Sequence, residues 1–198
     1  NALGNSPQEQ LELVKGTAKP IVDLVEKGYD VIIGHGNGPQ VGMINLAMDF
    51  AAGNGANTPA MPFPECGAMS QGYIGYHLQQ AIQRGLKRRG IHKECAALVT
   101  QVAVDPADPA FQKPTKPIGA FYSEAEAKAR MAGTGHTYVE DAGRGWRRVV
   151  PSPKPIKIVE LGAVEALLDA GGVVITVGGG GVPVAETPDG YEGVAAVI

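Results

Sequence analysis

Cysteine is nearly absent: Cys66 and Cys95 are the only two in 198 residues. They are too few and too far apart for a CxxC metal or redox site, so both are expected to be reduced thiols. No charge of one sign dominates. A formal net charge of −3 argues against a nucleic-acid binder, and the densest basic run, Arg84 to Lys93, falls at the end of a predicted helix, where cations complement the dipole. Long apolar runs are missing too. Nothing approaches the roughly 20 residues a membrane helix needs, and the first residues show no signal-peptide pattern, so a cytoplasmic protein with no membrane partner is expected. The four histidines, His35, His77, His92 and His136, have no metal-ligand spacing, and no metal ligand set is expected. Met43, Met48 and Met69 read as core fillers.

What the sequence has in quantity is glycine and proline, 28 and 15 residues, and their placement sets the organisation. Ser6-Pro7-Gln8-Glu9 is a helix start with a capping serine and a glutamate three residues on. Apolar Leu11, Val14, Ala18, Ile21, Val22 and Val25 then follow at helical spacing until Gly28. A strand over 29–33, a glycine loop and a helix over about 39–52 come next. A Gly/Pro-rich connector over 53–64 leads to a helix over about 70–89 and a β-rich run over 96–104. Later, a helix over 160–169 precedes a buried strand over 173–177. Strands apolar on both faces, alternating with helices, predict an α/β fold: a three-layer α/β/α sandwich with a mainly parallel sheet. The run Val194 to Ile198 reads as a further strand without a terminator, and Asn1 is not a methionine, so both ends are expected to be cut.

Between Asp105 and Pro155 the texture is polar and punctuated by prolines at 106, 109, 114, 117, 151, 153 and 155. A capped helix starts at Ser123-Glu124-Ala125-Glu126, and Tyr138 to Glu140 pairs with Trp146 to Val150 as a predicted hairpin. This stretch is expected to be a protruding lid subdomain inserted in the core.

Two glycine turns, Gly34 to Gly38 and Gly178 to Gly181, each follow a strand. Either is read as a tight turn or as a cradle for a small anion at the carboxyl end of the sheet, and the presence of both favours the anion. GxxxxGK[ST] and GxGxxG are both absent. Lys116, between Pro114 and Pro117, is either a rigidly aimed charge neutraliser or an exposed lysine. Arg144, Arg147 and Arg148 either clamp an anion or solvate the hairpin. His35 has no Ser or Cys beside it to activate and is expected to orient its loop.

Seven strings carry a family resemblance: Asn1-Ala2-Leu3, HGNGPQVG at 35–42, GAMSQGYIGY at 67–76, TQVAVDPADPAF at 100–111, PTKPIG at 114–119, EDAGRGWRRVVPSPKPI at 140–156 and GGGGVPV at 178–184. Together they resemble the carbamate kinases of the amino-acid kinase superfamily, over residues 1–198. The resemblance implies the carbamate kinase-like version of the predicted fold and a homodimer. It also implies reversible phosphoryl transfer between ATP and carbamate with Mg²⁺, usually run toward ATP in arginine or purine breakdown. Residues 1–198 would be the N-terminal, carbamate-binding part of the domain, with 105–155 as its lid. Asn1, Gly36, Asn37 and Gly38 would bind carbamate or carbamoyl phosphate, Lys116 would act on the transferring phosphoryl group, and Gly178, Gly179 and Gly180 would line the ATP/ADP phosphates. The family continues past Ile198, so the 198 residues alone are expected to be inactive, a non-catalytic truncated module being the alternative. A kinase of the same superfamily acting on another small carboxylate is the nearer rival, but PTKPIG and DAGRGWRR do not belong to those families.

Overall fold

The computed structural model describes residues 6–198. Helix α1 (Pro7–Glu26) begins with the predicted capping box: the Glu9 N–H donates to Ser6 Oγ at 3.2 Å and the Ser6 N–H donates to Glu9 Oε2 at 2.8 Å. Its buried face, Ala18, Val22 and Val25, packs with Leu78, Ile82 and Leu86 of helix α3 (Phe63–Arg88). The two helices cross closely, since a Cβ at Gly85 would come within 2.8 Å of Val22.

Beneath them runs a parallel sheet in the order β1 (Ile32–Ile33), β8 (Val173–Ile175), β2 (Cys95–Ala97). Val173 and Ile175 join the α1/α3 core while Val174, pointing the other way, is also fully buried. A strand buried on both faces is what a sheet between two layers requires, and α5 (Leu161–Asp169) packs against β8.

A second, mixed sheet runs β10 (Gly190–Gly193), β9 (Val182–Thr187), β3 (Gln101–Val104), β7 (Pro155–Ile158). A third, antiparallel sheet runs β4 (Lys116–Tyr122), β6 (Trp146–Val150), β5 (Tyr138–Glu140). The predicted hairpin is its β5/β6 pair, with Tyr138 opposite Arg148. Helix α4 (Glu124–Thr134) carries the predicted capping box at Ser123 and Glu126. The third sheet rests on helix α2 (Gly38–Gly53): Ile118 and Val150 share a core with Val41, Phe63 and Cys66. At one point, helix and strand touch almost backbone to backbone, since a Cβ at Gly42 would fall within 3.0 Å of Gly119.

Three sequence expectations are corrected. The β-rich run over 96–104 is two strands in two different sheets, because the chain breaks at Leu98 to Thr100, where the Thr100 hydroxyl donates to the Leu98 carbonyl at 3.0 Å. Helix α3 starts at Phe63, two turns early: buried Phe63 and Cys66 anchor its first turn to the α2/β4 core, which outweighs the local Gly/Pro signal. Val194 to Ile198 is no strand. Its Val197 is pulled into that same core, and the Val197 N–H donates to the Pro151 carbonyl at 3.0 Å. The hairpin β9/β10 just before it has no forerunner in the sequence reading.

Candidate functional site

The two glycine turns meet at the carboxyl ends of β1 and β8, where an open α/β sheet places its ligands. They are joined directly. The Gly179 N–H donates to the His35 carbonyl at 2.7 Å, and a Cβ at Gly178 or Gly179 would come inside 3.0 Å of the His35 ring or the Asn37 side chain. A Cβ at Gly180 would strike Ile198 in the same way. Glycine is therefore required in the second turn so that it fits against the first turn and the residues after β10.

The first turn differs. A Cβ at Gly36 or Gly38 would meet nothing within 4 Å among the described residues, and neither residue has the positive φ that favours glycine. The N–H groups of Gly36, Asn37 and Gly38 have no acceptor among those residues, while Asn37, at the N-cap of α2, already gives its carbonyl to the Val41 N–H at 2.9 Å. Free N–H donors, the positive end of a 16-residue helix and open space above them form a seat for a small anion.

A buried polar frame holds the turns in place. The Asn37 amide donates to Ser70 Oγ at 2.9 Å, and that hydroxyl donates to the Gly67 carbonyl at 2.6 Å. The Gln71 side chain brackets the Thr100 backbone, accepting its N–H at 2.8 Å and donating to its carbonyl at 3.0 Å. The Thr100 hydroxyl lies 2.8 Å from that of Thr176 and accepts the Val177 N–H at 3.2 Å. Val177 needs that support, since its φ of 45° is costly for a β-branched residue. Ser70, Gln71, Thr100 and Thr176 were not picked out from the sequence. The only available signal was that the first three lie inside the GAMSQGYIGY and TQVAVDPADPAF strings.

The predicted site residues fall into place unevenly. Gly36, Asn37 and Gly38 form the seat. Gly178, Gly179 and Gly180 sit beside it, but the N–H groups of Gly179, Gly180 and Gly181 are already spent on His35, Val177 and Gly178. Asn1 lies outside the described residues. Lys116 is exposed at the start of β4, opposite Val150, with no ion-pair partner among the described residues. The Gly42/Gly119 contact ties its strand to the helix that begins at the seat. His35 faces its own loop: Nδ1 lies 3.0 Å from the Gly36 carbonyl, and burial holds its pKa below the ordinary imidazole value.

Strand alternation divides the arginine trio. Arg147 and Arg144 pair with Asp141 at 3.3 and 3.1 Å, and Arg147 also donates to the Gly119 carbonyl. Arg148 points the opposite way, to Asn45. Both cysteines are buried, and burial pushes the Cys95 thiol up to about 12, leaving no thiolate for chemistry. Among the described residues, no group of three or more His, Cys, Asp or Glu is placed to hold a metal.

The comparisons with known proteins agree with the motif strings. The chain is 59% identical over 198 residues to the carbamate kinase of Staphylococcus haemolyticus, covering all of this chain and 64% of that relative. It is 55% identical over the same span to carbamate kinase 3 of Staphylococcus aureus. Among solved structures, a carbamate kinase from Giardia lamblia bound to citric acid superposes with a TM-score of 0.92 at 45% identity, covering 98% of this chain and 62% of that one. The Giardia lamblia enzyme bound to AMP-PNP gives 0.85 at 45% identity, covering 98% and 61%. No family model matches the chain. In sequence and in fold the chain is thus similar to carbamate kinases along its whole length, and it spans less than two-thirds of the relatives it matches.

Proposed function

We propose that the protein carrying this chain is a carbamate kinase, and that these residues form the side of the site that holds carbamate. The observation that carries the reading is the seat at Gly36, Asn37 and Gly38, where three N–H groups at the head of α2 have no acceptor, and a Cβ at either glycine no neighbour, among the described residues. Carbamate fits it chemically. One carbamate oxygen is already anionic, so transfer of a phosphoryl group between it and ADP needs no general base, and the protein's work is to hold two repelling anions in line and offset their charge. Lys116 supplies the offsetting charge from the edge of the third sheet, and Asn1 completes the seat.

ATP or ADP lies on the Gly178 to Gly180 side. Those glycines offer a close backbone approach more than free donors, because their packing against His35 and Asn37 leaves no side chain in the way. Mg²⁺ accompanies the nucleotide phosphates. The described residues hold no group of three or more His, Cys, Asp or Glu placed to cage it. The reaction serves arginine or purine breakdown in the ATP-forming direction, in the cytoplasm. No helix among the described residues is long and apolar enough to cross a membrane.

Residues 105–155 act as a lid, and the protein pairs as a homodimer through α2, which exposes Met43, Leu46 and Phe50 on one stripe. Small-angle scattering on the full-length protein checks both: a dimer mass and a smaller radius of gyration with carbamoyl phosphate are expected, and a monomer or an unchanged radius removes the corresponding part.

The activity test is ATP formation from ADP, Mg²⁺ and carbamoyl phosphate by the full-length protein, with acetyl phosphate as the parallel donor. ATP from carbamoyl phosphate alone or preferentially is expected. A folded protein that makes none, or prefers acetyl phosphate, overturns the assignment.

A further inference from the structure

A second polar cavity lies away from the glycine turns, between the middle of α2, the third sheet and α4. Its volume is about 210 Å³, and its walls include Asp49, Tyr122, Arg130, His136, Tyr138 and Arg148. It is small. Pockets for drug-sized ligands run from about 300 to 1,000 Å³, so this one suits an ion or a very small molecule and not a nucleotide. Asn45 and Asp49 lie about two and three turns along α2 from the seat at Gly38, roughly 10 and 16 Å at 1.5 Å per residue.

The charges in this cavity are unbalanced. Buried and half-buried guanidinium groups are normally matched by carboxylates, yet neither Arg148 nor Arg130 makes an ion pair within 4.0 Å among the described residues. Arg148 is held by a neutral acceptor, Asn45 Oδ1, and lies 5.5 Å over the Phe63 ring. Arg130 lies 4.2 Å over the Tyr122 ring, and its charge opposes the rise that burial gives the Tyr138 phenol pKa. Asp49 is the one carboxylate on the wall, and it acts on Arg148 only through space. On the wall two guanidinium charges face one carboxylate, an excess of +1, with the Tyr122 and Tyr138 hydroxyls beside them; Glu126, one turn before Arg130 on α4, acts on Arg130 only through space from outside the wall. The contrast with Arg144 and Arg147, which share Asp141 on the other side of the same hairpin, shows that a local acidic partner was available in this sheet and that Arg148 is turned away from it. Desolvation accordingly pulls the Arg148 pKa down, and burial together with the Arg148 charge holds His136 below the ordinary imidazole value.

We propose that this cavity is a binding site for a compact oxyanion of phosphate size, gripped by the Arg148 and Arg130 guanidinium groups and separate from the seat at Gly36 to Gly38. Planar guanidinium groups with fixed forks of N–H donors recognise tetrahedral oxyanions well, and one negative charge on such an anion would match the excess. Occupancy would pin α4 and β6 to α2.

His136 lines this cavity and gives a reporter inside it. The test is to titrate the full-length protein with inorganic phosphate at constant ionic strength, against sodium chloride. The readout is the His136 imidazole proton resonance, assigned by its loss in His136→Gln. A saturable shift in roughly the millimolar range is expected, with the His136 pKa rising as the anion arrives. Arg130→Met and Arg148→Met should each weaken the shift at least about tenfold. If Arg148→Met fails to fold for want of its Asn45 and Phe63 contacts, Arg130→Met carries the test. A His136 signal indifferent to phosphate, or one that responds equally in a folded arginine variant, overturns the site.

Discussion

A Cβ added at Gly36 or Gly38 meets nothing within 4 Å among the described residues, whereas one added at Gly178, Gly179 or Gly180 comes inside 3.0 Å of His35, Asn37 or Ile198. The amides follow the same division: those of Gly36, Asn37 and Gly38 have no acceptor among the described residues, while those of Gly179, Gly180 and Gly181 donate inside the protein. The composition of the two turns is alike, but their glycines answer to different neighbours. In the second turn the neighbour is the protein. In the first no described residue stands there, which on the proposed reading makes that turn the seat and the other its support. The comparison predicts that activity and stability will separate when the turns are altered one at a time.

The largest effect belongs to Lys116, at the start of β4, which is proposed to offset the charge of the transferring group. Lys116→Ala in the full-length protein should lower kcat by about 10²–10³-fold, the loss seen when one donor to a developing charge is removed. The nucleotide KM should stay within about threefold, because the interaction is made chiefly in the transition state. Lys116 is exposed and has no ion-pair partner among the described residues, so the thermal midpoint should not move. Steady-state kinetics beside a melting curve decide it. Unchanged turnover would remove Lys116 from the mechanism and leave the seat to act through its amides alone.

Much of the frame around these turns was legible because its signals are local. Ser6 and Ser123 open helices with capping boxes that need only four consecutive residues, and the unbroken apolar run at Val173 to Ile175 marks a strand covered on both faces. The hairpin of Tyr138 to Glu140 with Trp146 to Val150 was visible for the same reason. What escaped depends on partners far along the chain. Thr100 splits one β-rich run between two sheets because Gln71 and Thr176, 29 and 76 residues away, take up its polar groups. Phe63 starts α3 early, and Val197 leaves the strand pattern, because both are drawn into the core under Ile118 and Val150. The glycine strings pointed to two turns that do meet at the carboxyl ends of β1 and β8, but not to how their glycines differ. The sequence shows that glycine recurs at 36, 38, 178, 179 and 180; only the packing shows which of them face other protein atoms. The arginines behave alike: a run of basic residues at 144–148 reads as one feature until alternation along β6 sends Arg147 to Asp141 and Arg148 to Asn45.

The smaller effects come from a matched pair of substitutions in the full-length protein. Gly179 has φ +65°, and its new Cβ would displace the Asn37 side chain from Ser70. Left-handed strain of about 1–2 kcal/mol and a lost hydrogen bond of about 0.5–1.5 kcal/mol give Gly179→Ala a destabilisation of roughly 2–3 kcal/mol. At no more than about 2–4 °C per kcal/mol, the range for 150–250 residues, the thermal midpoint should fall by up to roughly 12 °C. Gly36→Ala meets neither cost. Its backbone is not left-handed and its Cβ points into open space, so stability should hold or rise by up to about 1 kcal/mol as the unfolded chain loses freedom. Its turnover with carbamoyl phosphate should nonetheless fall, because the methyl group occupies the space above the free N–H groups. Equal melting shifts for the two variants would mean that the open space at Gly36 is filled by protein after all. Full activity in a folded Gly36→Ala variant would move the substrate away from this turn, leaving both glycine loops as structural supports.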